Sequence, residues 1–287
     1  MQNTKQLMPL VSICIPIYNG DKYLKEALLS AVNQTYSNIE IIISDDNSKD
    51  NSLSIAKELL AESTIKFEII NHHPNGIGAN WNNSIKKANG KYIKLLFQDD
   101  VLDLDCVEKM VFLAEQETNV GMVFCKRKFI YDDTEVNRNW LEKYKILHNS
   151  WGFLINEKIY PGTKFLKSLF LYEQPLNKIG EPTATLILKE CFDKVGYFNE
   201  LLTQALDLEY YFRIMTKYRI GFVDEELIFF RLHEEQQTSK NQNRKISDFE
   251  KLPLILLKKL NFNLSPKVFF QLINLVLAQK IFKVMKK

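Results

Sequence analysis

The feature that most constrains this chain is an alternation of two apolar patterns along its first hundred residues. The stretch "LVSICIPIY" (10–18) is almost continuously apolar and rich in β-branched residues, the signature of a strand covered on both faces. In "DKYLKEALLSAVNQ", just after it, Leu24, Ala27, Leu28, Ala31 and Val32 recur at helical spacing. The pair then repeats. "IEIIIS" (39–44) predicts a second buried strand, and Leu53, Ala56, Leu59 and Leu60 mark the inward face of the next helix. "IKFEII" (65–70) predicts a third strand, "ANWNNSIKKAN" a short helix closed by Gly90 as its C-cap, and "KYIKLLF" (91–97) a fourth strand. Strand and helix in this rhythm argue for a parallel sheet with helices on both faces.

In such sheets ligands bind beyond the carboxyl ends of the strands. Three polar clusters, Tyr18-Asn19, Asp45-Asp46 and Asp99-Asp100, stand just past those ends. Alone, Asp99-Asp100 reads as a solvated turn, because adjacent carboxylates repel unless water or a positive charge intervenes. Three clusters on one edge read as a site. No G-x-G-x-x-G and no G-x-x-x-x-G-K-[ST] occurs, which disfavours dinucleotide and P-loop cradles. Without a glycine cradle a diphosphate can still be held through a divalent cation. Mg²⁺ and Mn²⁺ take one or two protein carboxylates together with phosphate oxygens. Asp45 or Asp46, past another strand, can accept hydrogen bonds from a nucleobase or ribose.

The second half is less regular. "VGMVFCKRKFI" and "TATLILK" predict strands, and "LDLEYYFRIMTK" a helix with Leu208, Tyr211, Phe212 and Met215 on one face. "IGFVDEELIFFRLH" reads as two strands about a turn at Asp224–Glu226. From Glu234 the chain turns polar, and this divides residues 1–235 from a linker and helical tail over 236–287. In that tail the positions from Val268 to Met285 are apolar nearly all round the helix, with Lys267, Lys280, Lys283, Lys286 and Lys287 toward the ends. Such a helix is buried somewhere: on its own domain, in a homodimer, or at an anionic membrane surface.

A net charge of +3 makes no case for nucleic acid as a partner. The four cysteines lack metal-ligand spacing, and three sit among apolar neighbours as small buried hydrophobes. With no cleavage pattern near the start and no apolar run of membrane-spanning length, the expected location is cytoplasmic, or peripheral at the inner face of the membrane.

The segments "VSICIPIYNG", "IEIIISDDNSKDNS", "ANGKYIKLLFQDDVL" and "EPTATLILKECFDKVGYFNELLTQALDLEYYFRI" together resemble the inverting glycosyltransferases of family 2, across about residues 10–235. The resemblance implies a GT-A fold: a Rossmann-like half with a mixed, mainly parallel sheet flanked by helices. It implies inverting transfer of a single sugar from a nucleoside-diphosphate sugar, UDP ahead of GDP or dTDP, to a hydroxyl of a glycan or lipid-linked acceptor. By position, Pro16, Tyr18 and Asn19 would line the nucleotide pocket, Asp46 would read the base and Asp45 would support its loop. Asp99 would meet the ribose or metal shell, Asp100 would bind Mn²⁺ or Mg²⁺, His233 would lie near the diphosphate or metal, and Asp207 would be the catalytic base. At the start of a helix, Asp207 is expected to stay ionised near neutral pH.

Several positions depart from the family pattern. Phe97 stands where an Asp is frequent, Leu206 where a Glu is, and Trp81-Asn82 where many relatives carry Arg-Asn. No Q-x-x-R-W occurs, which sets aside a processive synthase. The missing acids keep open a non-catalytic protein that binds sugar nucleotides. A nucleotidyltransferase would need a Gly-rich loop after the first strand, and "PIYNGDKY" supplies none.

Overall fold

A computed structural model describes residues 8–71, 73, 75–153, 155, 158–236 and 246–285. His72, Lys286, Lys287 and most of the polar stretch after Glu234 lie outside these residues. The first half alternates as its apolar pattern predicts: β1 (Val11–Ile17), α1 (Asp21–Val32), β2 (Ile39–Asp45), α2 (Ser52–Ala61), β3 (Lys66–Asn71), α3 (Ile77–Lys87) and β4 (Tyr92–Leu95). Then come β5 (Val101–Leu102), α4 (Cys106–Ala114), β6 (Val120–Tyr131), α5 (Glu135–Tyr144), β7 (Ile159–Pro161) and α6 (Gly162–Leu166). The chain continues through β8 (Thr185–Leu188), α7 (Glu190–Val195), α8 (Leu206–Met215), β9 (Arg219–Leu232), α9 (Asp248–Leu260) and α10 (Pro266–Met285).

The sheet runs β3-β2-β1-β4-β8-β6-β9-β5, with β7 paired to β9. β3, β2, β1 and β4 are parallel. β8 runs antiparallel between β4 and β6, so the sheet is mixed. Side chains alternate between two cores, as strand geometry requires. Ile13, Ile15 and Ile17 join the α1 and α4 side, while Cys14, Ile42 and Ile93 join Trp81 and Ile85 of α3 on the other. Each fully buried isoleucine contributes about 1.5–3 kcal/mol. All four cysteines are free and buried, behaving as core residues.

Three local features differ from the sequence expectations. Residues 219–232 form one strand, not two about a turn. Both halves pair with β6 in parallel, and a register shift accommodates Asp224 and Glu225. Those acids turn outward to Lys126 and Lys109, at 2.5 Å each. Gly90 is not the C-cap of α3, whose cap residue is Ala88. It is glycine because a Cβ there would lie 2.6 Å from the Ser12 nitrogen and 2.8 Å from the Leu10 oxygen. Tyr210 and Tyr211 are both fully buried, although the helical spacing put only Tyr211 on the inward face.

The C-terminal helices pack into the same core as α8. Leu252, Leu256 and Leu260 of α9 and Val268 and Leu272 of α10 join Tyr210, Tyr211 and Ile214. Among the described residues no helix is long and apolar enough to cross a membrane.

Candidate active site

At the carboxyl ends of β1, β2 and β4 the three polar loops are tied together by side chains the sequence reading did not single out. The Tyr18 amide donates to Gln98 Oε1 at 2.8 Å, and Gln98 Nε2 donates back to the Tyr18 carbonyl at 3.1 Å. Gly20 leaves room for this clamp, since a Cβ there would lie 2.2 Å from Gln98 Cδ. The Asn19 amide donates to Ser48 Oγ (3.0 Å), and Asn19 Oδ1 accepts from the Lys49 amide (2.8 Å). Asn19 adopts φ 46°, a left-handed conformation that asparagine tolerates.

Pro16 lies buried within β1 opposite Ser44 of β2. Tyr18 is 55% exposed at the mouth. Asp45 is buried, with both oxygens accepting from the Ser48 amide at 3.2 Å. Asp46, also buried, is anchored by its amide to the Ile17 carbonyl at 3.0 Å. Asn80 of α3 donates to that same carbonyl, while its buried Oδ1 has no partner among the described residues. Pro16, Tyr18, Asn19, Asp45 and Asp46 therefore share one sheet edge.

The adjacent aspartates divide their tasks. Asp100 is fully buried; its Oδ2 accepts from the Thr183 hydroxyl at 2.7 Å and its Oδ1 from the Arg231 amide at 3.2 Å. Burial, with the Asp99 charge beside it, raises its pKa well above the carboxylate range. Asp99 faces outward, and its Oδ2 meets His233 Nε2 at 3.0 Å. Its main-chain carbonyl accepts from Arg231 Nε at 3.0 Å, fixing the turn. Thus the outward member of the pair, the one His233 reaches, is Asp99. Asp100, expected at the metal, fastens β4 to the Thr183 turn and to β9. Lys94, fully buried, supports the same turn by donating to the Thr183 carbonyl at 2.5 Å.

Asp207 sits in the first turn of α8, partly buried. Its Oδ2 accepts from Asn177 Nδ2 at 2.9 Å and its Oδ1 from the Leu208 amide at 2.7 Å. Burial pushes its carboxyl up to about 7, against the hydrogen bonds that favour the charged form. This overturns the expectation of an ordinary ionised cap: loss of water outweighs the helix dipole. Asn177 is itself fixed, its Oδ1 accepting from the Ile179 and Gly180 amides at 3.0 Å. The loop carrying it runs through Glu181, which pairs with Arg127 at 2.5 Å, to Thr183 beside Asp100. The loop before Asp207 is held from the far end of the chain. Buried Asp248 Oδ2 accepts the Thr203, Gln204 and Ala205 amides at 2.7, 2.6 and 3.0 Å.

Two departures from the family pattern touch each other. The Phe97 and Trp81 rings lie 4.7 Å apart, an apolar contact in place of polar residues. Asn82 turns away to the Phe198 main chain and to Glu200.

Residues 12–195 match the family model described as "Glycosyl transferase family 2". The chain belongs to this family. An uncharacterized glycosyltransferase of Rickettsia typhi is 32% identical over 260 residues, covering 90% of this chain and 74% of that protein. A Rickettsia felis relative is also 32% identical, over 82% of this chain, which spans only 36% of that protein. Among solved structures, Staphylococcus aureus TarS 1-349 in complex with UDP-GlcNAc superposes with a TM-score of 0.65 at 19% identity, over 88% of this chain and 66% of that one. The mannosyltransferase PcManGT from Pyrobaculum calidifontis, in complex with GDP-Man and Mn²⁺, gives 0.66 at 16% identity, over 94% and 69%. This family 2 glycosyltransferase therefore has the GT-A fold, its mixed sheet flanked by helices.

Proposed function

We propose that the protein transfers a single sugar, with inversion, from a nucleoside-diphosphate sugar to an acceptor hydroxyl on a glycan or lipid-linked molecule, in surface polysaccharide or glycolipid assembly. The observation that carries this reading is Asp207: a carboxyl fixed by two hydrogen bonds, with a pKa raised to about 7 by burial. A general base works best when its pKa lies near the working pH. Asp207 takes the acceptor proton as its oxygen attacks the anomeric carbon, and the diphosphate leaves from the opposite face. The missing neighbouring acid at Leu206 is compensated by Asn177, which orients the carboxylate.

The donor lies across the sheet edge, with Tyr18, Asn19, Asp45 and Asp46 around the nucleotide; the TarS and PcManGT complexes support a UDP or GDP sugar. For a divalent cation, the donor set that fits is Asp99 Oδ2 with His233 Nε2, one carboxylate oxygen and one imidazole nitrogen 3.0 Å apart. Among the described residues no third His, Cys, Asp or Glu joins them, which leaves coordination to phosphate oxygens, the usual pattern for Mg²⁺ and Mn²⁺. When bound, the cation would neutralise charge growing on the leaving diphosphate. Asp100 keeps Asp99 aimed outward. A cavity bounded by Phe124, Arg127, Lys145, Leu147, His148 and Ile179 adjoins the Asn177–Glu181 loop and suits the acceptor side.

The test is radiolabelled transfer from UDP- and GDP-sugars to a lipid extract or a soluble glycan pool. Wild type transfers label; Asp207→Asn keeps donor binding and loses about 10²–10⁴-fold in rate. Donor binding without transfer in the wild type would favour a non-catalytic binding protein.

A further inference from the structure

Residues 246–287 carry eight lysines and two acids, a net charge of +6, while residues 1–245 carry 30 basic and 33 acidic side chains, −3. The positive balance of the chain thus resides in its C-terminal segment. α10 buries Val268 and Leu272 on the face that docks on the core. At about 100° per residue, Phe270, Leu277 and Ile281 point to the opposite side. They are 61%, 50% and 60% exposed. The helix is tethered near its start, where Lys267 pairs with Glu173 at 2.8 Å and Gln271 donates to the Tyr172 carbonyl at 3.4 Å. In the turn between α9 and α10, Phe262 is 93% exposed.

A helix apolar on its outer face, with lysines on its flanks, suits one surface above others. At an anionic bilayer the apolar side chains enter the acyl boundary while the ammonium group of Lys280, on the flank, reaches the lipid phosphates. A second copy of this chain fits less well, because the two basic segments would meet as like charges. We propose that the outer face of α10 docks the protein on an anionic lipid surface. α9 packs on α8, and Asp248 holds the loop before Asp207, so the docking face and the candidate base belong to one packed body. Docking would therefore hold the base at a set distance from lipid-borne acceptors. The docking claim does not depend on the chemistry assigned to Asp207.

The full chain is sedimented with phosphatidylcholine vesicles and with vesicles containing phosphatidylglycerol, at low and high salt. The expected result is at least ~10-fold more protein on the anionic vesicles, falling at high salt. Leu277→Glu with Ile281→Glu should reduce binding by ~10-fold or more while the thermal midpoint of unfolding stays unchanged, because both side chains face outward. Lys280→Glu should weaken binding to anionic vesicles alone. Equal binding to both vesicle types, binding to neither, or wild-type binding by the Leu277/Ile281 variant would overturn the proposal. So would a concentration-dependent dimer that the same variant abolishes, which would give this face to a second copy.

Discussion

Replacing Asp207 with asparagine removes a carboxyl whose ionisation the fold opposes. Burial moves it from 3.8 to about 7. An acid with a raised pKa in the folded state adds stability that is fully present below pH 3.8 and is lost as pH rises through about 7. Between pH 5 and pH 8 that loss is about 2–3 kcal/mol for one proton. Asparagine has no such dependence. Its single carbonyl accepts from only one of the two donors, Asn177 or the Leu208 amide, a pH-independent cost of about 1 kcal/mol. Urea unfolding of both proteins at pH 5 and pH 8 reads the difference directly. Relative to wild type, Asp207→Asn should gain about 2–3 kcal/mol between the two pH values, or about 5 °C in melting temperature. On the proposed role of Asp207 catalysis should move the other way, with wild-type transfer rising with pH through about 7 as its carboxyl ionises and the variant staying inactive. A stability difference that does not change with pH would refute the claim that Asp207 is held neutral by burial.

Asp248→Ala leaves the Thr203, Gln204 and Ala205 amides without their acceptor, and should cost about 2–4 kcal/mol in urea unfolding. It should also slow transfer by misplacing Asp207, with Asp248→Asn, which keeps one acceptor oxygen, recovering part of both. Gly20→Ala should displace Gln98 and break its two bonds to Tyr18, costing about 1–2 kcal/mol and weakening donor binding. In the Gln98→Ala background the same change should cost much less, a non-additivity that a double-mutant cycle measures.

β1 and β2 were legible because burial on both faces leaves "VSICIPI" and "IEIIIS" almost continuously apolar, their polar Ser12 and Glu40 hydrogen-bonded to each other inside the sheet. That the polar clusters meet at one edge followed as well, since parallel strands place their carboxyl ends together. What escaped depended on long-range contacts. Gln98 looks like an ordinary loop residue until its clamp on Tyr18, 80 positions away, is seen. Asp248 reads as an acid in the first turn of a tail helix, yet it organises the loop before Asp207. Asp224 and Glu225 imitate a turn, because a β-bulge and a hairpin both need outward polar residues. The order of Asp99 and Asp100 could not be read from adjacency. Which faces outward is decided by Thr183 and Arg231, both distant in sequence. Likewise the pKa of Asp207 is set by burial, and position on a helix says nothing of burial.

The proposed nucleotide-sugar site rests its cation on Asp99 and His233. Calorimetric titration of UDP-GlcNAc and GDP-mannose, with and without Mn²⁺, into wild type, Asp99→Asn and His233→Ala puts this to the test. One donor should bind in a Mn²⁺-dependent way, and either substitution should remove the dependence. Binding indifferent to Mn²⁺ and to both side chains would contradict it.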